Sequence, residues 1–352
     1  MASKLGQVFS VKRQSPELIV PARPTPREVK QISDINDQES LRFLAQGRAQ
    51  PEAHGRLHRF IEANANSTLE MLGDAIEPPC PYLDDPQLPI VVNSRFIVAL
   101  RLNHIMCNAP GLFQFLKTIK EMICGADQPS LMPVWQRNIL NARAPQVSCF
   151  HHEYNTTDID NLNDNVVPTV PMDHKSFNFG PKEIINVRGK QYNMQLPPGY
   201  YGNAFAFLAA CSKAGLLTKN PLGYAVELVK QANAQMSEEY IRSVADLMVI
   251  TGQRSRYVTE GNFIVSDTTR SGFAELDLGW GQPLYDGPAG AVSLISFYMK
   301  YQKSEGKNGI VVPICLPLSA VKRFEEEIKK MIQGPIMKNL HIKEPNEMLC
   351  KL

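Results

Sequence analysis

Residues 96–111, FIVALRLNHIMCNAPG, constrain the fold more than any other stretch of the chain. Phe96, Val98, Leu100 and Leu102 alternate with Ile97, Ala99, Arg101 and Asn103, the period-2 pattern of a strand with two unlike faces. The alternation stops at His104. A turn follows, and Asn108-Ala-Pro-Gly opens the amphipathic run LFQFLKTIKEMICG. Asn108 suits an N-cap, and Pro110 falls in the first turn, where its missing N–H costs nothing. The pattern therefore predicts a histidine between the end of a strand and the start of a helix. Crevices beyond strand ends in α/β sheets collect ligands, and a neutral imidazole there can accept a hydroxyl proton near pH 7. A lone histidine in such a place is more often a structural residue, so the case for chemistry rests on the rest of the chain.

A chain of 352 residues can bury a sizeable core and is expected to divide into two domains. The net charge of +2 gives no reason to expect a nucleic-acid or membrane partner. Cys80, Cys107, Cys124, Cys149, Cys211, Cys315 and Cys350 are scattered and contain no CxxC pair, which argues for a reducing compartment and against a disulfide framework or zinc site. No apolar run reaches the length of a membrane span, and the N-terminus lacks a signal-peptide core, so a cytoplasmic location is expected. His151 and His152 point opposite ways in extended chain and have no carboxylate or thiolate at ligand spacing. They are expected on a surface crossover, with no metal.

Along the chain, VFSVK reads as a short strand, the passage through Pro21, Pro24 and Pro26 as broken extended chain, and ISDINDQES as a polar loop. FIEANANSTLEML begins as a strand, and the region around Trp135 is loop-like. The polar passage 151–174 is the expected crossover between an N-terminal domain (1–150) and a C-terminal domain (175–352). GYYGNAFAFLAACSKA reads as a strand with glycines at its start. Ala225, Leu228 and Val229 mark one helix, and Ile241, Val244, Ala245 and Met248 another. NFIVSDTTR predicts a strand entering a polar turn, AVSLISFYMKY and GIVVPICLP a closing pair of strands, and VKRFEEEIKKMIQG a terminal amphipathic helix.

Several of these stretches coincide with one family. His104-Ile-Met-Cys-Asn108 resembles the His-xxx-Asp signature of the plant BAHD acyltransferases, and Asp277-Leu-Gly-Trp-Gly281 resembles their Asp-Phe-Gly-Trp-Gly signature. Tyr201-Gly-Asn-Ala-Phe205, Ser266-Asp-Thr-Thr-Arg270 and Gly309-Ile-Val-Val-Pro313 match the family in the expected order. The opening VKRQSPELIVPARPTPREVKQISDIND and the LNARAPQ and HHEY pieces are most similar to its benzyl alcohol O-benzoyltransferase branch, which includes alcohol acyltransferases making volatile esters.

The resemblance implies an α/β (α+β) fold of two chloramphenicol-acetyltransferase-like domains, each a mixed sheet with flanking helices, around a channel with the histidine at its middle. It implies a monomer with acyl-CoA, benzoyl-CoA in particular, as co-substrate, a small alcohol as acceptor and no bound cofactor. His104 would be the general base. Ser266 and Asp267 lie where relatives line the acyl end, with Ser266 a candidate oxyanion donor. Asp277, Gly279, Trp280 and Gly281 would be scaffold, with the glycines permitting a backbone that Cβ atoms would block and Trp280 an apolar anchor.

Two departures from the pattern stand out. Asn108 occupies the place of an aspartate that in relatives pairs with an arginine, and Arg188 and Lys190 are candidate former partners. Relatives are also longer: segments are missing between Leu44 and Gly55, around Pro86–Ser94, and between Ile185 and Asn186. Such losses leave unpaired strand edges and uncovered apolar faces. Two readings follow, an active CoA-dependent O-acyltransferase or a silent relative that keeps the shell and acyl-CoA binding. A serine or cysteine hydrolase is disfavoured, because no GxSxG elbow is present.

Overall fold

A computed structural model of the chain describes residues 11–13, 15, 17–19, 31–37, 58–60, 63–65, 91–92, 95–96, 98, 100, 102, 104, 106–143, 146–152, 154–155, 172–179, 194–251, 256–257, 264–283, 285–288, 295–302 and 308–333. The architecture is mixed α/β. Short strands come first: β1 (Val11–Arg13), β2 (Glu17–Ile19), β3 (His58–Phe60), β4 (Ala63–Ala65), β5 (Val91–Val92) and β6 (Arg95–Phe96). They form a four-stranded sheet in the order β1-β4-β5-β6 and a separate β2-β3 pair.

Helix α1 (Ala109–Ile123) follows with Asn108 at its N-cap position and Pro110 in its first turn. The backbone, not the Asn108 side chain, closes that turn: the Leu112 N–H donates to the Asn108 carbonyl at 2.9 Å. At the far end Gly125 adopts φ +92°, and its N–H and that of Cys124 satisfy the carbonyls of Met122 and Lys120.

Beyond β7 (Tyr154–Asn155), β8 (Met172–Phe179) enters the sheet of the second half. Helices α2 (Ala214–Lys219), α3 (Leu222–Gln235) and α4 (Glu238–Thr251) come next, then β9 (Arg256–Tyr257), β10 (Ile264–Asp267), β11 (Ile295–Gln302), β12 (Asn308–Pro317) and α5 (Leu318–Gln333). The second sheet runs β10-β11-β12-β8, with β10 and β11 parallel and the other pairings antiparallel. Phe324 of α5 packs against Val312 and Ile314 of β12, so the terminal helix lies against one face of this sheet.

The larger core forms around α4. Ser237 starts that helix, its hydroxyl accepting the Tyr240 N–H at 3.1 Å, and Glu238 and Glu239 suit the positive end of the dipole. Ile241, Val244, Ala245 and Met248, the four positions expected from periodicity, are all buried, together with Ile35, Leu140, Tyr154, Met194, Tyr200 and Ala204. Each fully buried aliphatic side chain here contributes roughly 1.5–3 kcal/mol.

Four expectations are corrected. ISDIND is no surface loop: a 3-10 turn at Asp34–Asp37 inserts Ser33, Ile35 and Asn36 into the core, each at most 2 % exposed. Its polar groups find partners, the Ser33 hydroxyl donating to the Arg137 carbonyl at 2.7 Å and Asp34 accepting the Ala142 N–H at 2.8 Å. The proposed strand at 96–103 ends at Phe96 among the described residues, and Val98, Leu100 and Leu102 are 41–53 % exposed. Alternation supplies two faces, but a strand also needs a ladder partner. Residues 199–213 form no strand beyond a single parallel bridge between Val134 and Tyr200. In α3, Val229 is exposed where the periodicity put it on the packed face.

Candidate functional site

His104 sits in the turn immediately before α1, half-buried, its ring edge-on to Phe205 at 6.3 Å. Burial pushes its imidazole below the usual 6.5, while a contact with its own backbone acts in the opposite direction. Its Nδ1 is buried and has no hydrogen-bond partner outside its own residue among the described residues. Burial thus favours the neutral form of the ring.

The turn is held by two carbonyls. Asn203 donates its Nδ2 hydrogens to the His104 carbonyl and to Asn36 Oδ1, both at 2.8 Å. Arg137, 2 % exposed, donates Nη2 to the Met106 carbonyl at 2.6 Å. Its guanidinium lies 4.5 Å from the Trp135 ring centre, 4.8 Å from Tyr201 and 5.6 Å from Tyr200. Aromatic faces and a carbonyl thus surround this cation, and its Nε and Nη1 have no hydrogen-bond partner among the described residues.

Close backbone approach explains the glycines here. A Cβ on Gly111 would come within 2.1 Å of the Tyr201 carbonyl oxygen, and one on Gly202 within 1.8 Å of Arg137 Nη1. The first turn of α1 consequently lies flush against residues 200–203. On its other flank, Phe113 meets Phe273 at 5.8 Å, and a Cβ on Gly272 would strike the Phe113 ring at 2.8 Å. A groove of about 310 Å³ runs beside α1, lined by Pro110, Phe113, Gln114, Leu131, Pro197 and Tyr200 among others. His104 is not part of its wall.

The remaining expected site residues are spread more widely. Asn108 is half-buried at the start of α1. Arg188 and Lys190 lie outside the described residues. Ser266 and Asp267 are half-buried on β10, opposite Phe297 and Tyr298 of β11, and the Asp267 carboxylate accepts the Thr269 N–H at 2.8 Å. Asp277 accepts the N–H groups of Gly279 and Gly281 at 2.7 and 2.9 Å, which hold its carboxyl below the usual range. Both glycines adopt φ +101° with open space where a Cβ would stand, so backbone conformation and not crowding requires them. Trp280 is 65 % exposed, which corrects its expected role as an apolar anchor.

Of the paired histidines, His151 is also corrected: it is buried, with Nε2 2.9 Å from Ser243 Oγ on α4 and its ring 4.7 Å from that of Tyr240. His152 is exposed. Among the described residues, no three His, Cys, Asp or Glu side chains gather as a metal site, and no helix is long and apolar enough to cross a membrane.

Sequence reasoning missed Asn36, Arg137 and Asn203. Asn203 lay within the matched Tyr201–Phe205 stretch, but nothing local indicates that its amide reaches a histidine carbonyl 99 positions earlier. For Arg137, the flanking Trp135 was the available signal.

A model of the Transferase family matches residues 182–331. Alcohol acyl transferase 1 allele GSd of Malus domestica is 41 % identical over 443 aligned positions, covering 94 % of this chain and 96 % of the relative. Benzyl alcohol O-benzoyltransferases of Nicotiana tabacum and Petunia hybrida are each 40 % identical, each covering 93 % of this chain, and 94 % and 95 % of the relatives respectively. The 443 aligned positions exceed the 352 residues of the chain, so the first of these relatives carries internal stretches with no counterpart here. The crystal structure of vinorine synthase superposes with a TM-score of 0.57 at 14 % identity, covering 88 % of this chain and 95 % of that one, and shares the fold. With the His104 turn, the Asp277–Gly281 turn and full-length relatives at about 40 % identity, the chain belongs to the BAHD acyltransferase family.

Proposed function

We propose that this protein moves an acyl group, benzoyl in particular, from acyl-CoA to a small alcohol such as benzyl alcohol, with His104 as general base. The observation that carries the reading is the placement of that imidazole: half-buried, edge-on to Phe205 and held where a loop meets the first turn of α1. In the tautomer protonated at Nδ1, Nε2 carries the free lone pair. Nε2 takes the alcohol proton as the oxygen attacks the thioester carbonyl carbon. The tetrahedral intermediate collapses, the C–S bond breaks, and the imidazolium returns the proton to the departing CoA sulfur. Ser266 on β10 is the proposed donor to the transient oxyanion, and Asp267 shapes the adjoining turn. The protein works as a monomer in the cytoplasm, and acyl-CoA is a co-substrate that leaves after each turnover.

One observation favours the second reading, a silent relative that keeps acyl-CoA binding. Val98, Leu100, Leu102 and Met106, around the base itself, are 41–53 % exposed. Turnover and binding separate the two. Purified protein given benzoyl-CoA and benzyl alcohol is expected to release free CoA, and His104→Ala to lower the rate by about 10²–10⁴-fold. The acid limb of kcat/KM should fall below pH 6.5, as the depressed imidazole requires. Calorimetric binding of a nonreactive CoA thioester without any turnover would establish the silent relative instead.

A further inference from the structure

We propose that Asn203 is a positioning residue for the base, clamping the turn through the His104 carbonyl while Asn36 orients its amide. The inference rests on the reading of His104 as base and goes beyond it, because neither residue touches the imidazole's reactive nitrogen. The geometry is specific. Both hydrogens of the Asn203 amide are used, one on Asn36 Oδ1 and one on the His104 carbonyl, each at 2.8 Å. Asn203 is 1 % exposed and Asn36 2 %, so water cannot substitute for a lost bond.

Gly202 presses on the Arg137 guanidinium, and Arg137 holds the Met106 carbonyl, so the same segment reaches the turn at a second point. Asn203 and Asn36 lie 167 residues apart, which means that the turn forms only when the 3-10 turn at Asp34–Asp37 and the 200–203 segment are both in place.

The test uses the full chain and three variants, Asn203→Ala, Asn36→Ala and His104→Ala. It reads kcat and KM for CoA release from benzoyl-CoA and benzyl alcohol. It also reads the rate at which diethyl pyrocarbonate labels His104, resolved by peptide mass spectrometry, with buried His151 as the internal reference. In Asn203→Ala, kcat should drop about 10–100-fold with KM within about threefold, because geometry is lost and not binding. His104 labelling should rise at least about fivefold as its turn opens, with His151 unchanged. If Asn203→Ala does not fold, Asn36→Ala, which keeps the amide but removes what aims it, should move both readouts in the same direction by about 3–10-fold. Wild-type kcat or unaltered His104 labelling in folded Asn203→Ala overturns the clamp. Turnover that survives in His104→Ala overturns the base reading alone, and labelling then still decides the clamp, as it does if the wild-type chain releases no CoA.

Discussion

Asp286, in the glycine-rich loop before β11, has its carboxyl pushed up to about 7, chiefly by burial, against the opposing pull of its own backbone and of Lys300. Its folded pKa lies above the unfolded value of 3.8, so the unfolded chain ionises first and stability falls as pH rises from about 4 to about 7. Asp286→Asn removes that loss. Urea unfolding at pH 8 should show a gain on the order of 1 kcal/mol, allowing for partial solvent screening, with little change at pH 4. His104 carries the opposite sign: a base depressed by burial costs stability as pH falls through 6.5 towards its folded value. The histidine was legible in the sequence because a pattern ended on it. Asp286 was not, since desolvation depends on neighbours that no local pattern names.

Among the elements, α4 is the one whose packing and periodicity agree most closely, with four expected positions buried. What docks against it was hidden. Asp246, 0 % exposed, accepts the Arg143 backbone N–H at 2.7 Å and two guanidinium bonds at 3.0 and 2.7 Å, while Glu239 takes the rest of the fork. Arg143 holds the Glu239 carboxyl down at about 2. Ser243 accepts the N–H groups of Ser148 and Cys149 and meets His151, so one polar stripe on α4 fastens Arg143, Ser148, Cys149 and His151. Arg143→Ala would strand the Asp246 carboxylate and should cost about 3 kcal/mol in equilibrium denaturation. Arg143→Lys should recover only part, since an ammonium cannot reproduce the forked contact.

At the scale of the whole molecule, apolar side chains lie in the open on several described segments. Leu216, Leu217, Leu222, Val226 and Val229 on α2 and α3 are 45–51 % exposed, close to the values at Val98, Leu100 and Leu102. Exposed apolar patches of this kind favour association between molecules. Val226→Lys with Val229→Gln should reduce light scattering of concentrated protein while leaving the unfolding midpoint within about 2 °C, because neither side chain contributes to the core. Loss of several degrees would show that these valines are packed.

What the sequence determined by itself was local: the start and stop of α1, the faces of α4 and α5, the closing strand pair β11–β12, and the family signatures at His104 and Asp277. Periodicity, capping chemistry and motif spacing act over a few residues, so one dimension suffices to read them. Tertiary structure alone decided that ISDIND is core, that His151 is buried, that Trp280 faces solvent, and that Asn203 and Arg137 grip the histidine turn. Those outcomes depend on which polar groups meet across separations of about 30 to 170 residues, and hydrogen-bond satisfaction at that range is settled only when the chain closes on itself.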